Sequence, residues 1–514
     1  MFQRKIIRDL RTWAASEYRK PLVLRGARQV GKSTLVKEFG KEYEVFISLN
    51  LERPDHYAIF ESSNIDSVVK MIFLQAKKPI DIHRRTLIFI DEIQNSPKAV
   101  ALLRYFYEDY PWLHVIAAGS LLLTLLDQHI SFPVGRVQYM HLHPCSFSDF
   151  LEATGNTLMV NELENLRVTS DMHPMMMSLF SEFALIGGMP EAIARYAEKQ
   201  DVVALRDVYS SLLRSYSEDV EKYAKNDTMK NVIRLLLKKG WTYSTEQITL
   251  GNFAESSYKA REMGEALRTL ERTYLLELTY PITSYQLPMI QENRRKPKLF
   301  WLDMGLINYA ANIQQEVMSS ANIMDTWRGK LAEQIVAQEL LSNTTDADAH
   351  RDFWVRNKSN ATSELDFVYV YQGQIIPIEV KAGHNSHLKS LQIFMDDGLI
   401  TNNQINKILS EVEITNIDWF MHIADFLEEM LKINKFTWHR YTIDIDVDML
   451  QNKVEGAFYT PITEEKGGIR KEYFLNLYNI LDSPLKFDKT PQERHELDMF
   501  YREKYRKLCE AEKQ

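Results

Sequence analysis

Residues 26–33 read Gly-Ala-Arg-Gln-Val-Gly-Lys-Ser, and this stretch decides the fold of the amino-terminal part of the chain. Gly26 and Gly31 let the backbone wrap around a phosphate chain with successive N–H groups pointing inward. Lys32 is then expected to reach the β- and γ-phosphates, and the Ser33 hydroxyl to ligate Mg²⁺. A short apolar strand precedes the stretch and a helix is predicted after it, so the helix N-terminus faces the anion. The sequence therefore predicts a P-loop that binds ATP.

A second nucleotide signal follows further along the chain. Residues 87–92 read Leu-Ile-Phe-Ile-Asp-Glu, an apolar run that is typical of a buried parallel strand. Asp91 is expected to hold Mg²⁺, and Glu92 to polarise the attacking water as general base. Acids also collect at helix N-termini, but after a P-loop this pair predicts hydrolysis rather than storage of the nucleotide.

Two polar residues near later strand ends are candidates with open alternatives. Ser120 is placed to contact the γ-phosphate, or to cap a helix predicted over 121–126. Arg136 is a candidate for stabilising transition-state charge, in cis or from a neighbouring subunit, or for a surface salt bridge. The full predicted nucleotide site comprises Gly26, Ala27, Arg28, Gln29, Val30, Gly31, Lys32, Ser33, Thr34, Asp91 and Ser120, with Lys32, Glu92 and Arg136 as its catalytic residues.

Composition sets broad limits on the rest of the molecule. At about 150 residues per domain, 514 residues predict three or four domains. The formal charge of −8 argues against non-specific coating of nucleic acid but leaves room for a local basic groove. Cys145 and Cys509 are the only cysteines, which excludes a disulfide framework and a zinc cluster. Neither a secretory signal nor a membrane-spanning run is visible, so a cytoplasmic protein is expected.

The chain resembles a bacterial and archaeal group of AAA+-type ATPases whose carboxyl-terminal half is a domain of unknown function. The resemblance rests on 25–33, on Phe-Ile-Asp-Glu-Ile-Gln at 89–94, and on later motifs, which are Gly119-Ser120, Gly135-Arg136, Pro-Cys-Ser-Phe at 144–147 and Gly-Gly-Met-Pro-Glu at 187–191. It covers roughly residues 1–400. The resemblance implies a sensor role for Ser120 and an arginine-finger or sensor role for Arg136.

The middle of the chain reads as two helical segments with different expected roles. Residues 146–225 predict a helical lid, broken by the turn that Gly-Gly-Met-Pro forces at 187–190. Residues 226–285 predict a winged helix whose second helix, over 262–275, carries both basic and acidic side chains. Such a module docks either on DNA or on a protein, and the acids on this helix would repel phosphates.

A predicted hairpin in the carboxyl-terminal half carries the other candidate site. Residues 364–371 and 374–381 form strands by composition, with a turn at Gln372-Gly373. If Tyr371 pairs with Gln374, then Asp366 lies opposite Glu379, and Lys381 shares the face of Glu379. Two carboxylates and a lysine on one face suit Mg²⁺-assisted phosphodiester hydrolysis.

This spacing is similar to that of the PD-(D/E)xK nuclease superfamily, and Glu333 matches the upstream acid of that superfamily. The resemblance implies Glu333, Asp366 and Glu379 as metal ligands and Asp366, Glu379 and Lys381 as catalytic residues, with Glu364 either a further ligand or a solvated strand residue. Surface salt bridges, worth about 0–1 kcal/mol each, and a nuclease fold that does not cleave are the alternatives.

The predicted architecture is α/β: a P-loop NTPase parallel sheet with a helical lid, a winged-helix segment and a smaller α/β nuclease-like domain. The expected boundaries are 1–150, 151–225, 226–295 and 296–400, with an extension of unknown role at 401–514. Two functions remain open, an ATP-regulated nuclease and an ATP-driven switch that binds nucleic acid or a protein without cleavage. ATP and Mg²⁺ are the expected cofactors, and the candidate partners are DNA, a second copy of the chain or another protein, with no membrane.

Overall fold

The computed structural model describes residues 2–119, 133–311, 328–357 and 363–380, apart from the single positions 3, 63, 134, 166, 170, 225 and 372. It also describes residues 390, 393–394, 435–438 and 441–444. The chain divides into two compact units. The first comprises Met1–Arg167 and Met175–Val380, and the second comprises Val168–Pro174 and Lys381–Gln514.

A five-stranded parallel sheet organises the amino-terminal part of the first unit. Its strands are β1 (Leu22–Arg25), β2 (Val45–Asn50), β3 (Thr86–Asp91), β4 (His114–Ala118) and β5 (Gln138–His141). The spatial order is β2-β3-β4-β1-β5, with every neighbouring pair parallel. This is the α/β sheet of a P-loop NTPase, as the alternation of apolar strands and helices predicts.

Helices cover both faces of this sheet. They are α1 (Ile7–Ala15), α2 (Lys32–Gly40), α3 (Pro54–Ile59), α4 (Ile65–Gln75) and α5 (Pro97–Asp109). Alternate residues of β3 enter opposite cores, with Ile88 and Ile90 in one and Leu87 and Phe89 in the other. A strand that is buried on both faces must be apolar throughout, which explains the continuous run before Asp91.

Predicted and observed boundaries in this part differ by a few residues. The sequence of residues 100–107 predicts a helix, and in the structure this helix, α5, begins earlier, at Pro97. The Ser96 side chain accepts the Ala99 N–H, and proline suits the first helical position. The sequence of residues 1–20 predicts an amphipathic helix, and the structure has a shorter one, α1. The helix predicted over 121–126 lies outside the described residues.

Five helices follow the sheet: α6 (Phe147–Ala153), α7 (Thr157–Glu164), α8 (His173–Ile186), α9 (Pro190–Lys199) and α10 (Arg206–Tyr223). The break predicted at 187–190 is present between α8 and α9. There the chain is packed tightly, because a Cβ at Gly188 would lie 2.4 Å from the Cys145 carbonyl oxygen. The role of these helices as a lid is a prediction.

Two helices and an antiparallel strand pair come next. They are α11 (Asp227–Lys239), α12 (Ala260–Arg272), β6 (Leu276–Thr279) and β8 (Lys298–Trp301), with the short β7 (Pro281–Ile282) between the strands. Trp241 stacks on Trp301 at a ring-centroid distance of 3.8 Å and ties the helices to β8. The assignment of this segment as a winged helix stays a prediction.

The carboxyl-terminal half of the first unit contains two helices and a four-stranded sheet. The helices are α13 (Met304–Ala310) and α14 (Arg328–Ser342), and the remaining strands are β9 (Asp352–Val355), β10 (Glu364–Tyr371) and β11 (Gln374–Ile378). The spatial order is β11-β10-β9-β7. An aspartate at position 303, directly before a predicted helix, predicts a helix cap. In the structure Asp303 caps α13 by accepting the Leu306 N–H, and it also accepts the Gly188 N–H.

The predicted hairpin is present with the predicted register, since Tyr371 pairs with Gln374. The return strand is shorter than expected, however. It ends at Ile378 rather than at Lys381, because the Val380 N–H is donated to the Asp366 side chain instead of a backbone carbonyl. Pro377 is tolerated because β11 is an edge strand of the sheet.

In the second unit, β12 (Lys435–Trp438) and β13 (Tyr441–Asp444) form an antiparallel pair. The alternating acids that the sequence shows at 446 and 448 lie outside the described residues. Among the helices that the structure describes, none is both long enough and apolar enough to cross a membrane.

Candidate functional site

The phosphate-binding loop adopts a backbone that only certain residues allow. It joins the end of β1 to the start of α2, and the φ angles are +143° at Gly26, +63° at Gln29 and +94° at Gly31. A Cβ at position 26 would lie 2.3 Å from the backbone oxygen of Leu142. Glycine is therefore required at position 26 for two reasons, the backbone conformation and the close approach of the neighbouring chain.

Lys32 lies inside this loop. Its Nζ donates to the carbonyl oxygens of Gly26 at 2.9 Å and Ala27 at 2.8 Å, and the residue is buried. Burial lowers the pKa of Lys32 to about 8, against the opposing pull of Glu92 and Asp91. The ammonium is thus positioned beside the loop and the two acids of β3.

The two nucleotide motifs meet at the carboxyl edge of the sheet. Ser33 Oγ donates to Asp91 Oδ2 at 2.6 Å, which joins the first turn of α2 to the end of β3. Glu92 follows with a φ of +53° and hydrogen-bonds to Gln94. Burial raises the pKa of Asp91 and of Glu92, and Lys32 opposes both shifts. Hydroxyl and carboxylate oxygens beside a lysine are a donor set that fits Mg²⁺ together with phosphate.

Side chains from distant elements hold the loop from outside. Arg4 donates to the Val30 carbonyl at 3.1 Å, and Tyr216 of α10 donates to the Arg28 carbonyl at 2.7 Å. Pro190, the first residue of α9, would lie 3.4 Å from a Cβ at Gly31. No local sequence pattern distinguishes Arg4 or Tyr216, because their partners are backbone atoms of a remote loop.

The two open candidates of the nucleotide site have different outcomes. Ser120 lies outside the described residues. Arg136 is partly exposed and its Nε donates to Glu108 Oε1 at 2.8 Å, while the Arg104 Nε donates to the same carboxylate at 3.0 Å. This is the surface salt bridge that the sequence left open, and a role for Arg136 in catalysis stays a prediction.

The carboxyl-terminal half brings together three acids, Glu333 of α14 and Glu364 and Asp366 of β10, here called the acidic cluster. Lys298 of β8 lies at their centre. Its Nζ is 2.6 Å from Glu333 Oε1, 2.5 Å from Glu364 Oε1 and 3.9 Å from Asp366 Oδ1. Lys298 is not among the site residues that the sequence predicts, because it follows the basic residues 294–296 and no local pattern separates it from them.

Electrostatics in this cluster favour both the ammonium and a retained proton. Burial by itself lowers the pKa of Lys298, but Glu333, Glu364 and Asp366 outweigh it and the net shift is upward. Burial raises the pKa of Glu333 to about 8, against the opposing effect of Lys298. One ammonium therefore cannot balance the charge of all three acids, and Glu333 retains a proton more readily than an ordinary glutamate does.

The predicted metal site is only partly formed by the described residues. Glu333 and Asp366 converge, and the ladder that pairs Phe367 with Ile378 would place Asp366 beside Glu379 if it continued by one residue. Lys381 lies outside the described residues. Within the described part of the chain, no three side chains of the His, Cys, Asp and Glu types are grouped to hold a metal ion. Lys298 Nζ already lies within 2.6 Å of an oxygen of Glu333 and of Glu364, where a metal ion would have to bind, so the described residues as arranged do not fit Mg²⁺.

Comparison with protein families divides the chain into three matched segments. Residues 18–151 match a family described as an AAA domain. Residues 177–317 and 328–422 match two families described as domains of unknown function, DUF8612 and DUF4143. No curated protein matches the chain.

Several solved structures are similar at low identity. The Walker-type ATPase PABY2304 of Pyrococcus abyssi is 15% identical with a TM-score of 0.37, over 60% of this chain and 96% of that chain. The Aeropyrum pernix ORC1 protein in complex with DNA is 13% identical with a TM-score of 0.22, over 60% and 90%. The Thermotoga maritima RuvB Holliday junction branch migration motor is 13% identical with a TM-score of 0.26, over 57% and 93%. At TM-scores this low, the similarities carry no argument about this chain.

Proposed function

Starting from an AAA+-type ATPase domain at residues 18–151, we propose that this chain hydrolyses Mg-ATP and uses the cycle to switch a carboxyl-terminal half that binds nucleic acid. The observation that carries the ATPase part is the 2.6 Å hydrogen bond between Ser33 and Asp91, with Lys32 buried in the adjacent loop. It joins the phosphate loop to the acid-bearing strand at the edge where parallel sheets bind ligands.

In the proposed mechanism each residue has one role. The N–H groups of the loop and the Lys32 ammonium hold the phosphates, whose oxygens replace the Gly26 and Ala27 carbonyls as partners of Nζ. Ser33 and Asp91 would hold Mg²⁺, which neutralises charge on the phosphates when bound. Glu92 orients water and accepts its proton, and a pKa raised by burial makes this carboxylate a better base.

The contacts of Tyr216 and Pro190 with the loop support a coupling to the helical segment. Because Tyr216 bonds the Arg28 carbonyl and Pro190 packs near Gly31, a shift of the loop on nucleotide binding would be felt by α9 and α10. These helices then act as the lid, and the tightly packed Gly188 links them to Asp303. The proposed switch is a change in this packing.

The basic loop at 294–296, which reads Arg-Arg-Lys, supports nucleic acid as the partner. All three side chains are exposed, and none makes an ion pair with an acid that the structure describes. Arg295 Nη2 donates to Asn357 Oδ1 at 2.8 Å, which fixes the loop against the segment after β9. An exposed, unpaired run of cations in a chain of net charge −8 is suited to phosphate contacts.

Cleavage of nucleic acid by Asp366, Glu379 and Lys381 is the second candidate, and the hairpin register favours it. Because the acidic cluster faces Lys298, we derive no metal-dependent step from it. The test is incubation of single- and double-stranded DNA and RNA with Mg²⁺ or Mn²⁺, with and without ATP. Products formed by the wild type and lost in Glu379→Ala would establish the nuclease, whereas intact substrates alongside ATP hydrolysis support the switch.

Two substitutions test the ATPase part, one directed at ATP binding and the other at hydrolysis. Lys32→Ala is expected to weaken ATP binding, whereas Glu92→Gln keeps binding and lowers kcat by about 10²-fold or more, since only the base is lost. Binding is measured with a fluorescent ATP analogue and turnover by phosphate release. Full turnover in Glu92→Gln would contradict the proposed base, and unchanged binding in Lys32→Ala would contradict the proposed site.

A further inference from the structure

We propose that the Lys298 ammonium occupies the centre of the acidic cluster and that it thereby prevents divalent metal ions from binding there. The inference concerns the carboxyl-terminal half and does not depend on ATP hydrolysis. Lys298 is the first residue of β8, the strand before α13 in the chain.

The first argument is the geometry. Two acids from separate elements, Glu333 of α14 and Glu364 of β10, approach the same Nζ within 2.6 Å. Asp366 contributes from 3.9 Å, and the Phe353 ring lies under the ammonium at 4.9 Å from its centroid. Carboxylates and an aromatic face are both favourable surroundings for an ammonium group.

Burial is the second argument. The Lys298 side chain is only 1% exposed, and Glu333 is 14% exposed. A buried ammonium is unfavourable unless it is paired and hydrogen-bonded, so these acids cannot release Lys298 into an apolar surrounding without a large penalty. The ion group is therefore a fixed part of the fold rather than a transient surface contact.

Competition for the same oxygen atoms is the third argument. A Mg²⁺, Mn²⁺ or Ca²⁺ ion needs carboxylate oxygens at about 2.0–2.6 Å, and the oxygens nearest to the centre of the cluster already contact Nζ. A divalent ion placed there would also lie within a few ångströms of a positive charge in a region of low dielectric. A divalent metal ion and the Lys298 ammonium therefore cannot occupy the centre of the cluster at the same time.

The acids of the cluster have a structural role, because they connect separate elements of the fold. Lys298 connects β8 to α14 through Glu333 and to β10 through Glu364, and Gln247 also donates to Glu364. The cluster thus fastens the carboxyl-terminal sheet and α14 to the strand pair of β6 and β8. Without the lysine, the carboxyl oxygens of three acids would converge with no cation among them, which is the kind of site that a divalent ion occupies.

The experiment is a gain of metal binding on removal of the lysine. All variants carry Asp91→Asn, which removes the proposed metal ligand of the nucleotide site, and nucleotide is omitted. Mn²⁺ is titrated by calorimetry and by electron paramagnetic resonance. We expect no cluster-dependent Mn²⁺ in the parent, and in Lys298→Met one bound Mn²⁺ per chain with affinity raised at least about tenfold. The added Glu333→Gln substitution is expected to abolish this gain.

Two controls keep the result interpretable. Lys330→Met removes a lysine that pairs with the partly exposed Glu246, outside the acidic cluster, and it is expected to leave Mn²⁺ binding unchanged. Lys298→Arg keeps the positive charge and is expected to bind no Mn²⁺. If Lys298→Met folds only when Mn²⁺ is added, the proposal is supported, because the metal then replaces the ammonium.

Two outcomes would overturn the proposal. One is a folded Lys298→Met chain that gains no Mn²⁺. The other is a parent chain with intact Lys298 that binds Mn²⁺ and loses it in Glu333→Gln or Asp366→Asn. This second measurement needs no lysine variant, so it decides the question even if Lys298→Met does not fold under any condition.

Discussion

Two separate constraints require glycine at position 26, and an experiment can distinguish them. Its φ of +143° disfavours any side chain, and a Cβ there would lie 2.3 Å from a backbone oxygen that cannot move aside. The sequence predicts the first constraint from the P-loop pattern. The second depends on Leu142, whose position next to the loop is decided by the pairing of β5 with β1.

Gly26→Ala is expected to lower ATP affinity strongly and to destabilise the chain by about 2 kcal/mol or more, because strain and collision add. Gly155→Ala is the matched control, since Gly155 has a φ of +81° but open space around its Cβ position. It is expected to lose about 1–2 kcal/mol and no ATP affinity. Urea unfolding midpoints and nucleotide titration provide the measurement, and ATP binding by Gly26→Ala at wild-type strength would contradict the account.

At the same scale, Asp303 and Lys298 show what local sequence can and cannot predict. Asp303 was predicted as a helix cap because its partner is Leu306, three residues away, and the prediction is confirmed. Lys298 was not predicted, because its partners lie 35 residues or more further along the chain. Clusters of charged side chains from distant parts of the chain are brought together by packing, and local sequence patterns do not predict them.

Among the elements, two basic segments compete as the contact for nucleic acid. One is the basic loop at 294–296. The other is the exposed edge of α12, with Lys259, Arg261 and Arg268, which also carries acids at 262 and 265. We favour the basic loop, because its three cations are consecutive and make no ion pair with an acid that the structure describes, and Glu292 is the one acid close to them in sequence.

Alanine at 294, 295 and 296 together is expected to weaken binding to any nucleic acid sequence by about 10–100-fold at low salt. The slope of log K against log salt should fall by roughly 2–3, since three phosphate contacts are lost. Fluorescence anisotropy at several salt concentrations measures both quantities, with basal ATPase rate expected to stay unchanged. A loss confined to the matched variant with alanine at 259, 261 and 268 would assign the contact to α12 instead.

The hairpin shows how far element-level prediction reaches. The register of β10 and β11 follows from the two-residue turn, and the structure has that register. The end of β11 does not follow from composition, because the Asp366 side chain takes the Val380 N–H that a longer ladder would use. A side-chain acceptor thus ended a strand that propensity alone would continue.

For the whole first unit, buried carboxyl groups make stability depend on pH. Glu339 of α14 accepts the Phe147 N–H at 2.9 Å and so joins α14 to α6. Burial raises the pKa of Glu339 to about 7 from its ordinary 4.5, so the folded chain holds a proton that the unfolded chain releases. The folded state is therefore favoured at lower pH, and this contribution is lost as pH rises from about 4.5 through 7.

Glu339→Gln removes this titration while keeping a hydrogen-bond acceptor. As pH falls from 7.5 to 5, the wild type is expected to gain on the order of 1–3 kcal/mol of unfolding free energy relative to the variant. Buried histidines act in the opposite sense, since burial lowers the pKa of His141 to about 3, but their effect is common to both chains. Urea unfolding across this pH range measures the difference, and a difference that does not vary with pH would contradict the assignment.

The sequence by itself determined the parts of this protein that depend on short windows of chain. These are the phosphate loop with its glycines, the buried strand that ends in Asp91, the cap at Asp303 and the turn of the hairpin. Tertiary structure alone decided that Arg4 and Tyr216 hold the loop and that Lys298 lies among three acids. The physical reason is that backbone conformation and burial periodicity are properties of neighbours in sequence, whereas charge pairing depends on which distant elements pack together.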